Sequence, residues 1–254
     1  MDEFGTAVAA IDAGDVAALE RVLAKRPELV HERREGGEGY FARPYLLWFV
    51  GENPVRNGRL PANIADVTRT LIGAGASQVD STLMLVSSGR VARESGVQRE
   101  LIDVLVGAGA NPDAAMLAAL AHHELDAAER LLERGATLTL LAAICTGRDA
   151  ATLLDTASAE ERQLAFAGAA LYGNATMLAA LLERGVDVNA FSPEGMHPHA
   201  IALHHAVASG SPDAVQVLVE SGASLVIRDR IYSGTPLEWA EYLEQTDIAV
   251  YLSS

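Results

Sequence analysis

Histidines are the residues of this sequence best suited to chemistry. All of them except His31 fall in two groups: His122 and His123, then His197, His199, His204 and His205. In an extended segment His197 and His199 point the same way. Together with Glu194 they supply two imidazoles and a carboxylate, a set that can bind a divalent metal and leave a position open for a catalytic water. No H-E-x-x-H motif or cysteine accompanies the set, so we predict no metal and keep this site as the alternative.

Other signatures of catalysis are weak in this sequence. Cys145 is the only cysteine, which excludes an internal disulfide, and it ends the apolar stretch Leu140–Cys145. Such a setting is typical of a buried small side chain rather than of a nucleophile. The sequence has no G-x-S-x-G elbow, no phosphate-binding G-x-x-x-x-G-K-[ST] loop and no G-x-G-x-x-G motif after a strand. We expect no cofactor and a non-catalytic protein, with a small-molecule or metal-assisted site around residues 191–205 as the alternative.

Aromatic residues concentrate near the N-terminus, where five of the 13 lie within ten residues. Tyr40, Phe41, Tyr45 and Trp48 are among them, with Arg43 in their midst. Tyrosine, tryptophan and arginine are over-represented at binding hot spots. A binding patch is therefore one interpretation, and a cap over the N-terminal core is the other.

The strongest pattern is an internal repeat. A Gly-Ala or Gly-Val step follows each apolar, helix-like run: Gly75-Ala76, Gly109-Ala110, Gly135-Ala136, Gly185-Val186 and Gly222-Ala223. The spacing from Ala76 to Ala110 is 34 residues and that from Val186 to Ala223 is 37. Glycine just past the last apolar turn predicts a left-handed residue that ends a helix.

Each repeat unit reads as helix, tight turn, helix and longer loop. In the unit that holds the histidine run, Ser211 is predicted to cap the second helix and Pro212 to occupy its first position. A single unit of this kind cannot bury its apolar face alone, so the units must stack on one another.

This unit resembles the ankyrin repeat, whose signature is Thr-Pro-Leu-His-x-Ala on a period of about 33 residues. Leu203, His204 and Ala206 match the signature in one repeat. Thr235–Ala240 matches it in the next, with Glu238 in place of the histidine. The resemblance implies that the imidazole of His204 hydrogen-bonds the backbone of a neighbouring loop.

The resemblance implies an all-α fold, an ankyrin-repeat solenoid of about eight helix pairs with projecting loop fingers. Residues 1–254 are expected to form a single ankyrin-repeat domain, with degenerate repeats over 1–158 and regular repeats over 160–254. The expected helix pairs cover residues 4–25, 43–73, 82–107, 113–134, 137–157, 160–184, 199–221 and 235–253.

Ankyrin proteins usually bind protein partners through the loop fingers and the first helices, on the concave side of the stack. The resemblance therefore implies a non-catalytic protein-binding scaffold. The candidate partner-binding residues at finger and first-helix positions are Tyr40, Phe41, Arg43, Tyr45, Trp48, His122, His123, Tyr172, Phe191, His197, His199, Arg228, Tyr232 and Trp239.

The net charge of the chain indicates which classes of partner to expect. The chain has 34 acidic and 19 basic residues, a net charge of −15. Duplex nucleic acid and anionic membranes repel such a protein, so we expect neither, and a partner with a basic or neutral surface is favoured. No apolar run approaches the ~18 residues of a membrane span, and no secretion signal is evident. We expect a cytoplasmic monomer, and the preference for alanine, glycine and arginine suggests a bacterial source.

Overall fold

Short apolar and alanine-rich runs form helices throughout residues 2–254, the part of the chain that the computed structural model describes. The α-helices are α1 (Glu3–Ala13), α2 (Val16–Lys25), α3 (Ile64–Gly73), α4 (Val79–Ser87), α5 (Arg90–Glu94), α6 (Gln98–Gly107), α7 (Pro112–Ala121), α8 (Leu125–Glu133), α9 (Leu140–Cys145), α10 (Ala151–Thr156), α11 (Ala159–Leu171), α12 (Ala175–Leu182), α13 (Ala202–Ser209), α14 (Pro212–Glu220), α15 (Pro236–Tyr242) and α16 (Thr246–Ser253). Short 3-10 helices cover Pro27–Val30, Gly39–Phe41 and Leu46–Gly51. Within residues 2–254 the extended backbone pairs only as two isolated bridges, Arg33 with Tyr45 and Phe191 with Ile201.

The first of two compact units ends at Thr137 and contains four helix pairs. The pairs are α1 with α2, the 3-10 helix Leu46–Gly51 with α3, α4 with α6, and α7 with α8. The first members of the pairs pack on one another in chain order, and so do the second members α2, α3, α6 and α8. Stacking in two rows buries the apolar side of every helix, as a repeat architecture requires.

The second unit, Leu138–Ser254, repeats the same plan. The helices α9, α11, α13 and α15 form one row, and α12, α14 and α16 form the other. Alanines such as Ala165, Ala169 and Ala206 are fully buried between them, which lets neighbouring helices lie close together. The all-α fold and its helix pairs are therefore confirmed, while the expectation of a single domain over residues 1–254 stays a prediction.

Helix ends follow the sequence closely. The glycines of the repeated step all have positive φ, from 78° at Gly185 to 103° at Gly75. Ser211 caps α14 by accepting a hydrogen bond from the backbone N–H of Ala214, and Pro212 is its first residue. These local predictions are confirmed because cap geometry depends on residues close in sequence.

The second helix pair departs from the expected α-helix. Its first member is the 3-10 helix Leu46–Gly51, which ends at Glu52 with a left-handed φ of 48°. Gly51 packs so closely on α4 that an added Cβ would lie 3.2 Å from the Cβ of Leu85.

The chain that follows, residues 51–63, is an ordered insertion held by Glu52. The buried carboxylate of Glu52 accepts the backbone N–H of Arg56 at 2.7 Å and lies 2.8 Å from the Arg56 guanidinium. That guanidinium also contacts Asp12 of α1 at 2.9 Å. Arg56 therefore stabilises residues 51–63 by joining Glu52 to Asp12 of α1.

No helix within residues 2–254 is long and apolar enough to cross a membrane.

Candidate functional site

The loop between α14 and α15 forms a finger organised by the carboxylate of Asp229. One carboxylate oxygen accepts the backbone N–H groups of Ile231 at 2.8 Å and Tyr232 at 2.7 Å. The other accepts the N–H of Gly234 at 2.8 Å and the indole N–H of Trp239 at 3.0 Å. Burial raises the pKa of Asp229, but these hydrogen bonds outweigh it and hold the pKa well below its usual range. The carboxylate stays ionised and fixes both the finger and the tryptophan.

Trp239 lies at the centre of a group of rings. His204 meets it edge to face with ring centroids 5.1 Å apart, and His204 Nε2 lies 3.0 Å from the carbonyl oxygen of Gly234. The expected bond between the signature histidine and a neighbouring loop is therefore present. Tyr232 and His199 complete the group, with centroids 6.5 and 6.2 Å from Trp239. Such contacts between rings fix the orientation of the rings and also bury apolar surface.

Tyr232 and Trp239 border an open groove of about 520 Å³ on the finger and first-helix side of the last repeat. We call it the Tyr232 groove, and it is lined by Ala208, Tyr232, Gly234, Glu238, Trp239, Tyr242 and Leu243. Tyr232 is 75% exposed and Tyr242 is 86% exposed. Exposed rings that border a common groove, next to a fixed tryptophan, are typical of a binding surface.

Two arginines border the finger without entering its core. Arg228 pairs with Glu238 at 2.8 Å and contacts the carbonyl oxygen of Ser233. Arg230 stacks on the ring of Phe191 with its guanidinium carbon 3.7 Å from the centroid, and its backbone N–H donates to the carbonyl oxygen of His199 at 2.8 Å. Phe191 and Arg228, both predicted site residues, thus stabilise the fingers on which the groove depends.

The preceding finger brings its histidines together. The ring of His197 lies 6.0 Å from that of His199 and 5.9 Å from that of His205. His205 is buried and its Nε2 lies 2.9 Å from the hydroxyl of Ser192. Burial lowers the pKa of His205 to about 3, with a further contribution from the neighbouring histidines, so the imidazole is neutral. Burial also lowers the pKa of His199.

The metal-binding alternative gains no support from this convergence. Within residues 2–254, no three or more His, Cys, Asp or Glu side chains are placed so that they could hold a metal ion. Glu194 is exposed, whereas His197 and His199 are half-buried.

The aromatic segment of the first unit is divided between core and surface. Phe41 is buried, with its ring 5.4 Å from that of Phe49, so it is not available to a partner. Trp48 donates its indole N–H to the Ser81 hydroxyl at 2.8 Å. Tyr45 is half-buried with its ring 5.5 Å from that of Trp48.

Tyr40 and Arg43 are the predicted residues of this segment that lie at the surface. Tyr40 is 65% exposed and donates its hydroxyl hydrogen to the amide oxygen of Asn53 at 2.8 Å. Arg43 pairs with Glu35 at 3.1 Å, and both side chains are mostly exposed.

The remaining candidates lie at helix ends. His122 and His123 are exposed immediately after α7, and His123 has a left-handed φ of 57°. Tyr172 is half-buried at the end of α11. Cys145 is buried, and burial raises the pKa of its thiol to about 12, which disfavours the thiolate that a nucleophile needs.

Two residues that line the groove, Tyr242 and Leu243, were not among the site residues predicted from the sequence. The helical spacing could have indicated Tyr242, because residues three apart share a helix face and Tyr242 follows Trp239 by one turn of α15.

Residues 200–230 match the family model described as the ankyrin repeat. The match begins just before α13, covers α14 and ends within the Asp229 finger. It supports the resemblance read from the signature at Leu203, His204 and Ala206. No curated protein matches the chain.

Proposed function

We propose, from the ankyrin repeat at residues 200–230, that this protein is a non-catalytic binding scaffold that recognises a partner protein through its fingers and first helices. Ankyrin repeats are generally protein–protein interaction modules. The Tyr232 groove is the observation that carries the proposal, because it presents exposed aromatic rings on a finger and first helices, the elements through which such modules bind.

The ordered positions of the Trp239 indole and of the backbone at Tyr232 support the groove as the main contact with a partner protein. The indole of Trp239 is fixed by Asp229, and the backbone at Tyr232 is fixed by the same carboxylate. Large side chains that are already ordered lose little conformational entropy on binding, and aromatic anchors of this kind dominate binding energies. In the first compact unit, Tyr40, Arg43, His122 and His123 are exposed and are proposed as secondary contacts.

The expected partner has a basic or neutral surface, because a net charge of −15 attracts basic proteins and repels nucleic acid and anionic lipid. The proposal includes a cytoplasmic location and a monomeric state.

A second candidate is a small-molecule site at the histidine finger. Its support is the convergence of His197, His199 and His205, which a protein-binding role does not require. The scaffold remains the favoured function, because His205 is buried and neutral and serves the Ser192 contact.

The test compares three forms of the protein as baits in cell lysate at low salt. These are the wild type, the double variant Tyr232→Ala/Tyr242→Ala, and the control Tyr251→Ala, whose exposed side chain lies outside the groove. We expect a protein to be recovered in near-stoichiometric amount with the wild type and the control and reduced about tenfold or more with the double variant. Equal recovery with all three would show that the groove is not the contact. No recovery with any of them would contradict the scaffold function.

A further inference from the structure

We propose that the Tyr232 groove receives a lysine or arginine side chain from the partner protein. This inference rests on the proposed function and specifies the chemistry of the segment that the groove recognises. It follows from the kinds of ring that line the groove, from the fixed position of the Trp239 indole and from the charge of the surrounding chain.

Three aromatic residues line the groove, namely Tyr232, Trp239 and Tyr242. The rings of Tyr232 and Trp239 are inclined at 66° with centroids 6.5 Å apart, and both residues line the groove. The faces of such rings carry negative partial charge and attract an ammonium or guanidinium group within about 6 Å of the centroid, most strongly at tryptophan.

Apolar side chains complete the lining. Ala208 and Leu243 provide contact for a methylene chain. Lysine and arginine bury their aliphatic stems against such surfaces and leave the charged group at the polar end. The groove therefore suits a long side chain with an apolar stem and a cationic head better than a short or anionic one.

In residues 228–254, which include the groove-lining part of the finger and the last helix pair, acidic residues outnumber basic ones by five to two. Residues 231–254 include Glu238, Glu241, Glu244 and Asp247 and contain no lysine, arginine or histidine. The carboxylate of Glu238 lines the groove itself. It pairs with the guanidinium of Arg228 at 2.8 Å, so the basic group at this edge of the groove is balanced by a carboxylate. An anionic side chain entering the groove would have to compete with Glu238 for Arg228, because residues 231–254 contain no lysine, arginine or histidine.

The test uses NMR titration with two short peptides, Gly-Ser-Lys-Ser-Gly and the same peptide with neutral norleucine in place of lysine. The indole N–H of Trp239 reports on the groove, and that of Trp48, in the first unit, is an internal control. We expect the lysine peptide to shift the Trp239 signal and to bind about two- to fivefold more tightly than the norleucine peptide, as a cation over exposed rings predicts.

Three variants identify the source of the preference. Tyr242→Leu keeps an apolar wall but removes a ring, and Glu238→Gln removes a charge while glutamine can still serve the helix cap at Thr235. Both are expected to reduce the preference for lysine. Tyr251→Leu, outside the groove, should leave it unchanged.

Equal affinity for the two peptides, or a shift at Trp48 instead of Trp239, would overturn the inference. The capture experiment separates this failure from failure of the proposed function. A partner lost by the Tyr232→Ala/Tyr242→Ala variant would leave the scaffold function standing even if lysine were not preferred.

Discussion

Among single residues, His205 illustrates how the fold changes the chemistry of a side chain that looked catalytic. Its imidazole is buried, lies beside Ser192 and stays neutral. In the unfolded chain the same group has its ordinary pKa near 6.5. Between these two pKa values the unfolded state binds more protons, so the contribution of His205 to stability is complete above about pH 6.5 and declines as the pH falls toward 3.

We therefore expect acid to destabilise the protein before its carboxylates titrate. From pH 7 to pH 5 the free energy of unfolding should fall at up to about 1.4 kcal/mol per pH unit for one such group. His204, whose pKa burial also lowers, adds in the same direction. His205→Gln removes one titrating group and should give a shallower decline in urea denaturation at the two pH values. The exposed His31→Gln should match the wild type, and an equal slope in His205→Gln would contradict the assignment.

Several residue-level features could be predicted from the sequence alone. The caps at Ser211 and Pro212 and the role of His204 depend on neighbours within the repeat or on the repeat that follows. The buried carboxylate of Glu52 could not be predicted, because its arginine, Arg56, also depends on Asp12, which lies 44 residues away. A pattern of local spacing carries no information about such a contact.

At the scale of the helical elements, α11 approaches α9 through a glycine. A Cβ added at Gly168 would lie 2.2 Å from Cδ1 of Leu141 and 3.2 Å from Sγ of Cys145. Alanine is the better helix former by about 1 kcal/mol. Here the steric clash outweighs that gain, because both neighbours are buried.

Gly168→Ala is accordingly expected to destabilise the protein by about 1–3 kcal/mol, as overpacking does. The matched control is Gly107→Ala, at the end of α6, where an added Cβ meets nothing within 4 Å. That change should be neutral or slightly stabilising. The measurement is denaturant unfolding of both variants. If the two substitutions changed the free energy of unfolding equally, α9 and α11 would be able to move apart and accommodate the added methyl group.

The second helices of the first unit are joined by a ladder of ion pairs. Arg69 of α3 pairs with Glu100 of α6 at 3.0 Å, and Arg130 of α8 pairs with Asp103 of α6 at 2.5 Å. Ion pairs of this exposure are screened by salt, since the Debye length falls to about 3 Å at 1 M.

Arg130→Met should consequently lower the melting temperature in low salt, because it keeps the packing of the stem and removes two pairs, to Asp103 and Glu133. The difference from the wild type should shrink in 1 M sodium chloride. Melting curves at about 20 mM and 1 M salt test this. A salt-independent difference would assign the effect to packing instead of charge.

The helix pairs of both compact units lie near their predicted ranges, whereas the 3-10 form of the first helix in the second pair was not predicted. The helices of the second unit lie near their expected positions, since helical periodicity and glycine stops recur there. The 3-10 helix Leu46–Gly51 and the Tyr232 groove were not foreseen. The first depends on the close approach of Gly51 to α4, and the second on the way a finger and two first helices come together.

For the whole molecule, the stacking of helix pairs predicts that disturbances stay local. In repeat proteins each unit contacts its neighbours, so a weakened interface opens near its own position first. In Gly168→Ala we expect faster amide hydrogen exchange in α9, α11 and α13, with α1 to α6 unchanged. Exchange that accelerates equally in both compact units would show that the chain opens as one cooperative body.

Because Cys145 is buried, we expect it not to react when the native protein is labelled with thiol reagents. Its thiol is inaccessible, and with a pKa of about 12 it is almost wholly protonated at neutral pH. Cys145 is the only cysteine in the sequence, so a maleimide dye added to the native protein has no other thiol with which to react. A cysteine introduced at an exposed position such as Tyr251 would therefore carry the only fluorophore, without prior removal of the native one.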